Sequence, residues 1–223
     1  MFQFDSGEIL LLDKPLGWSS FDVVRSVRRA AGGAKVGHAG TLDPLATGLM
    51  LLCTGKWTRH LGRMGDYDKT YTGTLRLGIT TPCYDLELPP DAHYPTGHIT
   101  DEAVRAVARQ LTGPQMQVPP VFSAIKVEGK RSYKAARRGS ADSPLPPRAV
   151  DIYALRVVSV DLPDVHFEVH CSKGTYIRSL AHDWGRLLHS GAVLTALRRT
   201  AIGAYRVDHA MAPAYFKALV ETK

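Results

Sequence analysis

The alternation of apolar and polar positions along this chain predicts a series of short strands. Apolar residues occupy every second position in Tyr71–Leu77 and again in Val165–Cys171, and this alternation is typical of half-buried strands. Two uninterrupted apolar runs, Ile9–Leu12 and Leu49–Cys53, predict strands that are buried on both faces. A last strand is predicted over Leu194–Arg199.

Apolar residues that recur every three or four positions predict the helices. The first helix begins at Ser19 or Ser20, either of which can cap it. Its predicted buried face consists of Phe21, Val24, Val27 and Ala31. Further helices are predicted at Trp57–Met64, after Thr100, over Ile177–Leu188 and over Ala214–Val220.

Strands and helices do not alternate as they do in parallel βαβ proteins. The pattern therefore predicts an α+β fold with a mixed, largely antiparallel sheet flanked by helices. With 223 residues, of which 44% are hydrophobic and 22% charged, we expect one globular domain over residues 1–223. No apolar window has the length of a membrane span and no secretory signal is evident, so we expect a cytoplasmic protein without membrane contact.

The charge balance favours a polyanionic partner. The chain carries 28 Lys and Arg residues against 21 Asp and Glu residues, a net charge of +7. The densest basic segment extends from Lys126 to Arg138, and two smaller clusters precede it. One such cluster is often no more than a solvated face, but three clusters around Trp57, Tyr71 and Tyr133 favour nucleic acid.

A glycine-rich loop that contains Asp43 is the first candidate for chemistry. The loop turns tightly around this one carboxylate, and glycine adopts such turns without strain. The plain alternative is a glycine-rich connection in which Asp43 and Pro44 only begin a turn. The sequence lacks a phosphate-binding Walker loop and a GxSxG nucleophile motif. Its three separated cysteines and scattered histidines form no metal motif, so we expect no metal and no cofactor.

Several segments together resemble the bacterial TruB-type tRNA pseudouridine synthases. They occur in the family's order between about residue 9 and residue 208. The segments are KPLGWSS at 14–20, GHAGTLDPLATGL at 37–49, KTY at 69–71, PPVFSAIK at 119–126, CSKGTYIR at 171–178 and LRR at 197–199. The resemblance implies the pseudouridine synthase fold, with an RNA-gripping insertion around residues 115–150.

The resemblance also implies the reaction. Such an enzyme isomerises the T-loop uridine at tRNA position 55 to pseudouridine, without metal or cofactor. It implies that Asp43 is the catalytic aspartate, either as nucleophile or as base toward the ribose. Arg178 matches the arginine that pairs with this carboxylate, and a nearby cation would keep it ionised. The plain alternative for Arg178 is a structural ion pair.

The remaining site residues also follow from the resemblance. The target uridine must be flipped out of its loop, and Tyr71 matches the tyrosine that stacks on the flipped base. His38 matches a histidine that fills the space left by the base, and Leu197 an apolar residue packed against it. Substrate contacts are further implied for a second set of residues, in which Lys14 is a phosphate or pocket contact. These residues are Lys14, Tyr176, Lys126 and Arg131.

One departure from the family concerns the C-terminus. Family members usually continue into a C-terminal RNA-binding domain, whereas only about fifteen residues follow Asp208 here, too few for a domain. We therefore expect a catalytic domain alone, either in a short family member or in a chain whose C-terminal part is missing. The expected partner is the T-arm stem-loop of tRNA, with a monomeric enzyme and no obligate protein partner.

Two other functions are compatible with these segments. A protein that binds or remodels RNA could keep the fold without the chemistry, but it would not need Asp43, Tyr71 and Arg178 together. A related synthase that acts on ribosomal RNA under a guide RNA would share the catalytic residues, and dependence on a guide would distinguish it.

Overall fold

The structure is a computed structural model that describes residues 2–123, 126–127, 130–131 and 145–222. The chain divides into two compact units. The first unit comprises Met1–Thr72 and Leu197–Lys223, and the second comprises Gly73–Ala196. None of the helices in the described residues is long and apolar enough to cross a membrane.

The described residues form thirteen strands and five α-helices. The strands are β1 (Ile9–Lys14), β2 (Val36–His38), β3 (Ala46–Thr54), β4 (Lys69–Leu77), β5 (Ile79–Thr80), β6 (Ala92–His93), β7 (Gly113–Gln117), β8 (Lys126–Val127), β9 (Lys130–Arg131), β10 (Arg148–Asp161), β11 (Asp164–Cys171), β12 (Ala192–Ile202) and β13 (Tyr205–Arg206). The helices are α1 (Ser20–Ala30), α2 (Leu61–Gly65), α3 (Asp101–Gln110), α4 (Ile177–Leu187) and α5 (Pro213–Glu221). Short 3-10 helices cover Gly55–His60 and Val207–His209.

β3 is the central strand of the first unit. All of its residues except Thr47 are buried. β1 and β2 pair with it antiparallel, and the last part of β12 pairs with it parallel, with Leu197 opposite Ala46. A continuous apolar run is typical of a strand that is covered on both faces, which explains why the segment from Leu49 to Cys53 occupies this position.

Helix α1 begins as the sequence predicts and buries three of the four residues expected on its apolar face, namely Val24, Val27 and Ala31. Ser19 caps it, because its side chain accepts a hydrogen bond from the Asp22 amide while the Asp22 carboxylate accepts one from the Ser19 amide. The buried face contains Val23, Val24 and Val27, whereas the expected core residue Phe21 is 66% exposed. At about 100° of rotation per residue, Phe21 lies about a third of a turn from the centre of this face.

In the second unit, β4, β11, β10 and β7 lie side by side in that order. β11 alternates strictly between half-buried and buried residues, as predicted. The Phe167 ring on this strand packs against the Trp184 ring of α4, with ring centroids 5.9 Å apart. Trp184 is fully buried, so the apolar face of α4 provides the centre of this unit's core.

The longest strand, β10, was not predicted. It pairs antiparallel with β11, but the register shifts between Ile152 and Ala154 and again between Val157 and Ser159. Each shift inserts a residue and moves the following side chains to the opposite face, so the alternation that reveals β11 is interrupted in β10.

The α+β fold with a mixed, largely antiparallel sheet is confirmed. β3 and β12 form a parallel pair in the first unit, while the other pairings with a described register are antiparallel. In the predicted RNA-gripping insertion, β8 and β9 pair antiparallel, and residues 124–125, 128–129 and 132–144 lie outside the described residues.

Candidate active site

The first unit holds the Asp43 loop between β2 and β3. Asp43 is half-buried, and its carbonyl oxygen accepts a hydrogen bond from the Ala46 amide at 3.0 Å, which closes a tight turn. Gly40 has a φ of +90°, a conformation that few side chains tolerate. At Gly48 a Cβ atom would lie 2.3 Å from the Arg199 carbonyl oxygen, so β12 can approach only a glycine.

The start of α1 and the preceding loop fix the backbone on both sides of Asp43. The Ser20 hydroxyl accepts a hydrogen bond from the Leu42 amide at 2.8 Å and donates one to the Leu42 carbonyl at 3.0 Å. On the other side, the Gly17 amide donates to the Pro44 carbonyl at 2.9 Å. The residues on both sides of Asp43 are therefore held by one short stretch of chain, residues 17–20.

Lys14 at the end of β1 is fully buried beneath this loop. Its ammonium donates hydrogen bonds to the carbonyls of Trp18 at 2.6 Å, Pro15 at 3.1 Å and Pro44 at 3.3 Å. Burial lowers the pKa of Lys14 to about 8, while the negative charge of Asp43 acts in the opposite direction. The structure thus shows Lys14 supporting the loop, and the substrate contact expected from sequence stays a prediction.

Arg199 of β12 links the Asp43 loop to Tyr71. Its buried guanidinium donates to the carbonyls of Leu49 at 2.7 Å, Gly40 at 3.2 Å and Thr41 at 3.4 Å, and it also forms a hydrogen bond with the side chain of Tyr71. Burial lowers the pKa of Arg199, and the contact with Tyr71 opposes that shift. One buried cation therefore holds a strand, a loop and a predicted catalytic ring in place.

Two further predicted residues flank this loop. His38 ends β2, and its half-buried ring forms a hydrogen bond with the Gly40 backbone. Burial lowers the pKa of His38, and its Nδ1 atom has no hydrogen-bond partner among the described residues. Leu197 is half-buried opposite Ala46, and its carbonyl accepts a hydrogen bond from Thr47. The first unit therefore assembles Lys14 and the loop around Asp43 with four other conspicuous residues, namely His38, Tyr71, Leu197 and Arg199.

The second unit holds Arg178 near the start of α4. Its side chain is 5% exposed, and its guanidinium donates to the carbonyls of Cys83 and Phe122, both at 3.0 Å. The Nε atom lies 3.7 Å from a carboxylate oxygen of Asp85, which is equally buried. A buried arginine with a carboxylate and two carbonyls is firmly oriented.

Tyr176 immediately precedes α4 and is fixed by Gln117. The Gln117 side chain accepts a hydrogen bond from the Tyr176 amide at 2.8 Å and donates one to its carbonyl at 3.1 Å. The Arg148 guanidinium lies over the Tyr176 ring, 5.2 Å from its centroid. Lys126 and Arg131 are opposite each other in the β8–β9 pair.

Sequence reasoning missed two residues that organise these sites. Asp85 lies in a proline-rich loop whose pattern indicates only irregular structure, and Arg199 was noted only as part of the LRR segment. A charged residue at an inward position of a predicted strand is unusual and indicates a structural or functional role, and Arg199 is such a residue. In the described part of the chain, no three His, Cys, Asp or Glu residues are grouped as metal ligands would be.

Comparison with known proteins gives consistent results. The model of the TruB family pseudouridylate synthase N-terminal domain matches residues 28–177. A Flavobacterium johnsoniae protein named tRNA pseudouridine synthase B is 45% identical over 216 residues, which cover 94% of this chain and 94% of that protein. A Bacteroides thetaiotaomicron protein of the same name is 48% identical over 228 residues, which cover 98% of this chain and 95% of that protein.

A similar fold occurs among solved structures. A chain in the crystal structure of a Cbf5-Nop10-Gar1 complex matches this one with a TM-score of 0.70 and 28% sequence identity. The match covers 91% of this chain but 50% of the solved chain, so this chain spans about half the length of that structure.

Proposed function

Because this chain belongs to the TruB family of pseudouridylate synthases and is a tRNA pseudouridine synthase that makes pseudouridine 55, we propose that Asp43 acts on the target uridine. The supporting observation is the hydrogen bonding around its loop. Ser20 binds the backbone at Leu42 and Gly17 binds it at Pro44, while the carboxylate between them is half-buried. A carboxylate fixed in this way can be held in one orientation toward a reacting atom of the bound nucleotide.

The reaction defines what the site must provide. The bond between the ribose C1′ and uracil N1 breaks, the uracil turns, and a bond from C1′ to C5 replaces it. The proton on C5 leaves and N1 gains a proton, so no atom is gained or lost overall. Asp43 acts either as a nucleophile at C1′ or as a base toward the ribose, and both roles require its ionised form.

Arg178 supplies the positive charge in this proposal. The predicted role is to keep the Asp43 carboxylate ionised and oriented. A buried guanidinium suits that role because Asp85 and two carbonyls restrict its orientation.

Tyr71 is proposed to stack on the flipped uracil and to assist removal of the C5 proton. Its hydrogen bond with Arg199 supports this role, since the same arginine also holds the carbonyls of Gly40 and Thr41. The tyrosine ring and the Asp43 loop are therefore positioned by one side chain.

The proposed RNA contacts lie at several places in the chain. His38 fills the space that the flipped base leaves, and Leu197 packs against the base. Tyr176 contacts the nucleotide, and Lys14 contacts it or its phosphate. Lys126 and Arg131 bind the RNA backbone from an insertion around residues 115–150, where positive charge favours phosphate contacts.

We further propose that residues 1–223 function as one catalytic domain, as a monomer without an obligate protein partner. The substrate portion recognised is the T-arm stem-loop, and the location is the cytoplasm, where bacterial tRNA is made. Sedimentation of the enzyme with and without a T-arm stem-loop would test the monomer, since a dimeric complex contradicts it.

Tritium release tests the assignment of Asp43. A tRNA transcript tritiated at uridine C5 is incubated with enzyme in a metal chelator and without guide RNA, and release of tritium is followed. The unmodified enzyme is expected to release one equivalent, and Asp43→Asn none, because the amide can neither attack nor accept a proton. Asp43→Asn is expected to bind the transcript with unchanged affinity, since the basic residues are untouched.

Other outcomes would contradict specific parts of the proposal. Equal release by the enzyme and by Asp43→Asn refutes the role of Asp43. Release that requires an added guide RNA refutes direct recognition of the T-arm, and release that the chelator abolishes refutes the metal-free reaction.

A further inference from the structure

The turn that holds Arg178 carries an aromatic residue between its two contact points. Cys83 provides a carbonyl to the guanidinium at 3.0 Å, and Asp85 provides a carboxylate oxygen 3.7 Å from Nε. Tyr84 lies between them in the chain. A movement of the Tyr84 backbone is therefore expected to shift two of the three groups that contact the Arg178 guanidinium.

Tyr84 has an unusual backbone conformation. Its φ is +64°, in the left-handed region that a bulky side chain occupies only against a steric penalty. The conformation is enforced from both sides, because the Tyr84 amide donates to the Thr81 carbonyl at 3.2 Å and the Leu194 amide donates to the Tyr84 carbonyl at 2.9 Å. A strained residue beside a functional group persists only where its surroundings compensate.

The Tyr84 side chain makes a compensating contact with α4. Its ring is stacked on the His182 ring with centroids 4.1 Å apart and an angle of 17° between the planes. His182 follows Arg178 by four residues, so both side chains project from the same face of the helix. The turn and the helix are thus joined twice, by the Arg178 contacts and by the ring stack.

We propose that the Tyr84–His182 stack is a positioning element that fixes this turn against α4 and so sets the direction of the Arg178 guanidinium. Neither ring is a catalytic residue, because each acts through Arg178. The inference rests on the proposed role of Arg178 in the reaction. A structural role alone would change stability, whereas a positioning role changes the turnover rate in folded enzyme.

Three substitutions test the stack by steady-state tritium release from tRNA transcript. Tyr84→Ala and His182→Ala are each expected to lower kcat about tenfold with KM changed less than about twofold, because a slightly misdirected group slows the chemical step without affecting RNA binding. Tyr84→Phe keeps the ring and is expected to retain the full kcat. Unchanged kcat in both alanine variants overturns the proposal.

The same unit offers a matched control. Tyr153 of β10 packs against His170 of β11, with ring centroids 5.0 Å apart, but its chain neighbours are not the groups that hold Arg178. Tyr153→Ala therefore removes a Tyr–His contact without disturbing that turn, and kcat is expected to change less than about twofold. A tenfold loss here as well would show that the assay reports only general destabilisation, which overturns the proposal.

A double-mutant cycle separates this inference from the proposed role of Arg178. Arg178→Lys keeps the charge but cannot reproduce the forked contacts, and it is expected to lower kcat by itself. If the stack acts through Arg178, Tyr84→Ala adds less than about a twofold loss in this background. An equal loss in both backgrounds refutes the stack as a positioning element, whereas wild-type kcat for Arg178→Lys refutes the proposed role of Arg178.

Folding of each variant is checked by thermal unfolding, and kinetics are measured well below its midpoint. If Tyr84→Ala fails to fold, Tyr84→Gly replaces it, since glycine accepts the positive φ at no steric cost and removes only the ring. Tyr84→Gly with wild-type kcat overturns the proposal, and a kcat lowered like that of His182→Ala supports it.

Discussion

The two units fix their charged residues in different ways. In the first unit, Ser20, Gly17, Lys14 and Arg199 hold the backbone around Asp43 through hydrogen bonds with carbonyl and amide groups. In the second unit, Arg178 is held through its own guanidinium by one buried carboxylate and two carbonyls. In the first unit, support is distributed: several residues each hold a different point of the main chain. In the second unit, support is concentrated: all the contacts are made to one side chain.

This difference predicts how each region responds to damage. Loss of one hydrogen bond to the Asp43 loop leaves the others in place, so each substitution there is expected to lower the free energy of unfolding by a small amount. Asp85 and Arg178 are both buried, so loss of the Asp85 carboxylate removes a charged contact that water does not replace, and the Arg178 site is expected to lose more stability in a single step.

The largest effect is expected from Asp85→Ala. Removing a carboxylate that contacts a buried arginine is expected to lower the free energy of unfolding by about 4 kcal/mol, measured by urea denaturation. Asp164→Ala is the control, because Asp164 and Arg76 form a shorter contact of 2.8 Å in a more exposed position. The control should cost less than about 1 kcal/mol. Equal losses would show that burial does not distinguish the two pairs.

A smaller effect is expected from Arg199→Lys in the distributed region. Lysine keeps the charge but cannot reach all the acceptors that the guanidinium binds, so the free energy of unfolding should fall by about 2 kcal/mol. The neighbouring Arg198 is the control, since it pairs with Asp13 in a half-exposed position. Arg198→Lys should cost less than about 1 kcal/mol in the same denaturation experiment. If Arg199→Lys lowers the free energy of unfolding as much as Asp85→Ala does, the support of the Asp43 loop is not distributed over several residues.

The smallest effect concerns the pH dependence that Lys14 contributes. Burial lowers the pKa of Lys14 from 10.5 to about 8, so between these values the unfolded chain binds more protons than the folded one. Stability therefore rises as pH increases through this range, because the folded lysine sheds a charge that burial disfavours. From pH 7.5 to 9 the expected gain is about 1 kcal/mol.

Lys14→Met serves as the comparison for this measurement. Subtracting its denaturation curves from those of the unmodified protein isolates the contribution of Lys14. If the difference in free energy of unfolding stays constant or falls with rising pH, burial does not destabilise the Lys14 ammonium. The hydrogen bonds to the three carbonyls would then outweigh the cost of burying the charge.

The sequence predicts elements well where local chemistry alone decides the structure. The sequence predicts that α1 begins at Ser19 or Ser20, and Ser19 is the cap in the structure because Asp22 lies three residues later. The strand β11 is recognisable because its alternation runs without interruption. The loop is singled out by Asp43 and its glycines, and the resemblance to a known family supplies the expected roles of the other residues.

The remaining features depend on contacts between distant residues. Asp85 and Arg178 lie more than ninety residues apart in the chain, and no local pattern marks Asp85 as a partner of Arg178. The strand β10 escapes prediction because two register shifts interrupt its alternation, and Phe21 is wrongly expected in the core because helix spacing does not determine how far the covered face of α1 extends. Tertiary packing decides all three cases.

The close approach at Gly48 also restricts how this enzyme can vary over evolutionary time. A hydrogen atom is the largest substituent that fits there, since a methyl group would lie 2.3 Å from the carbonyl oxygen of Arg199. The spacing of the two strands at this point is therefore set by peptide geometry and not by the sizes of side chains. Neighbouring core residues can be substituted and repack, and the C-terminal end of the Asp43 loop will still lie at the same place. In a library of random variants, survivors should keep glycine at this position even where the surrounding residues have changed.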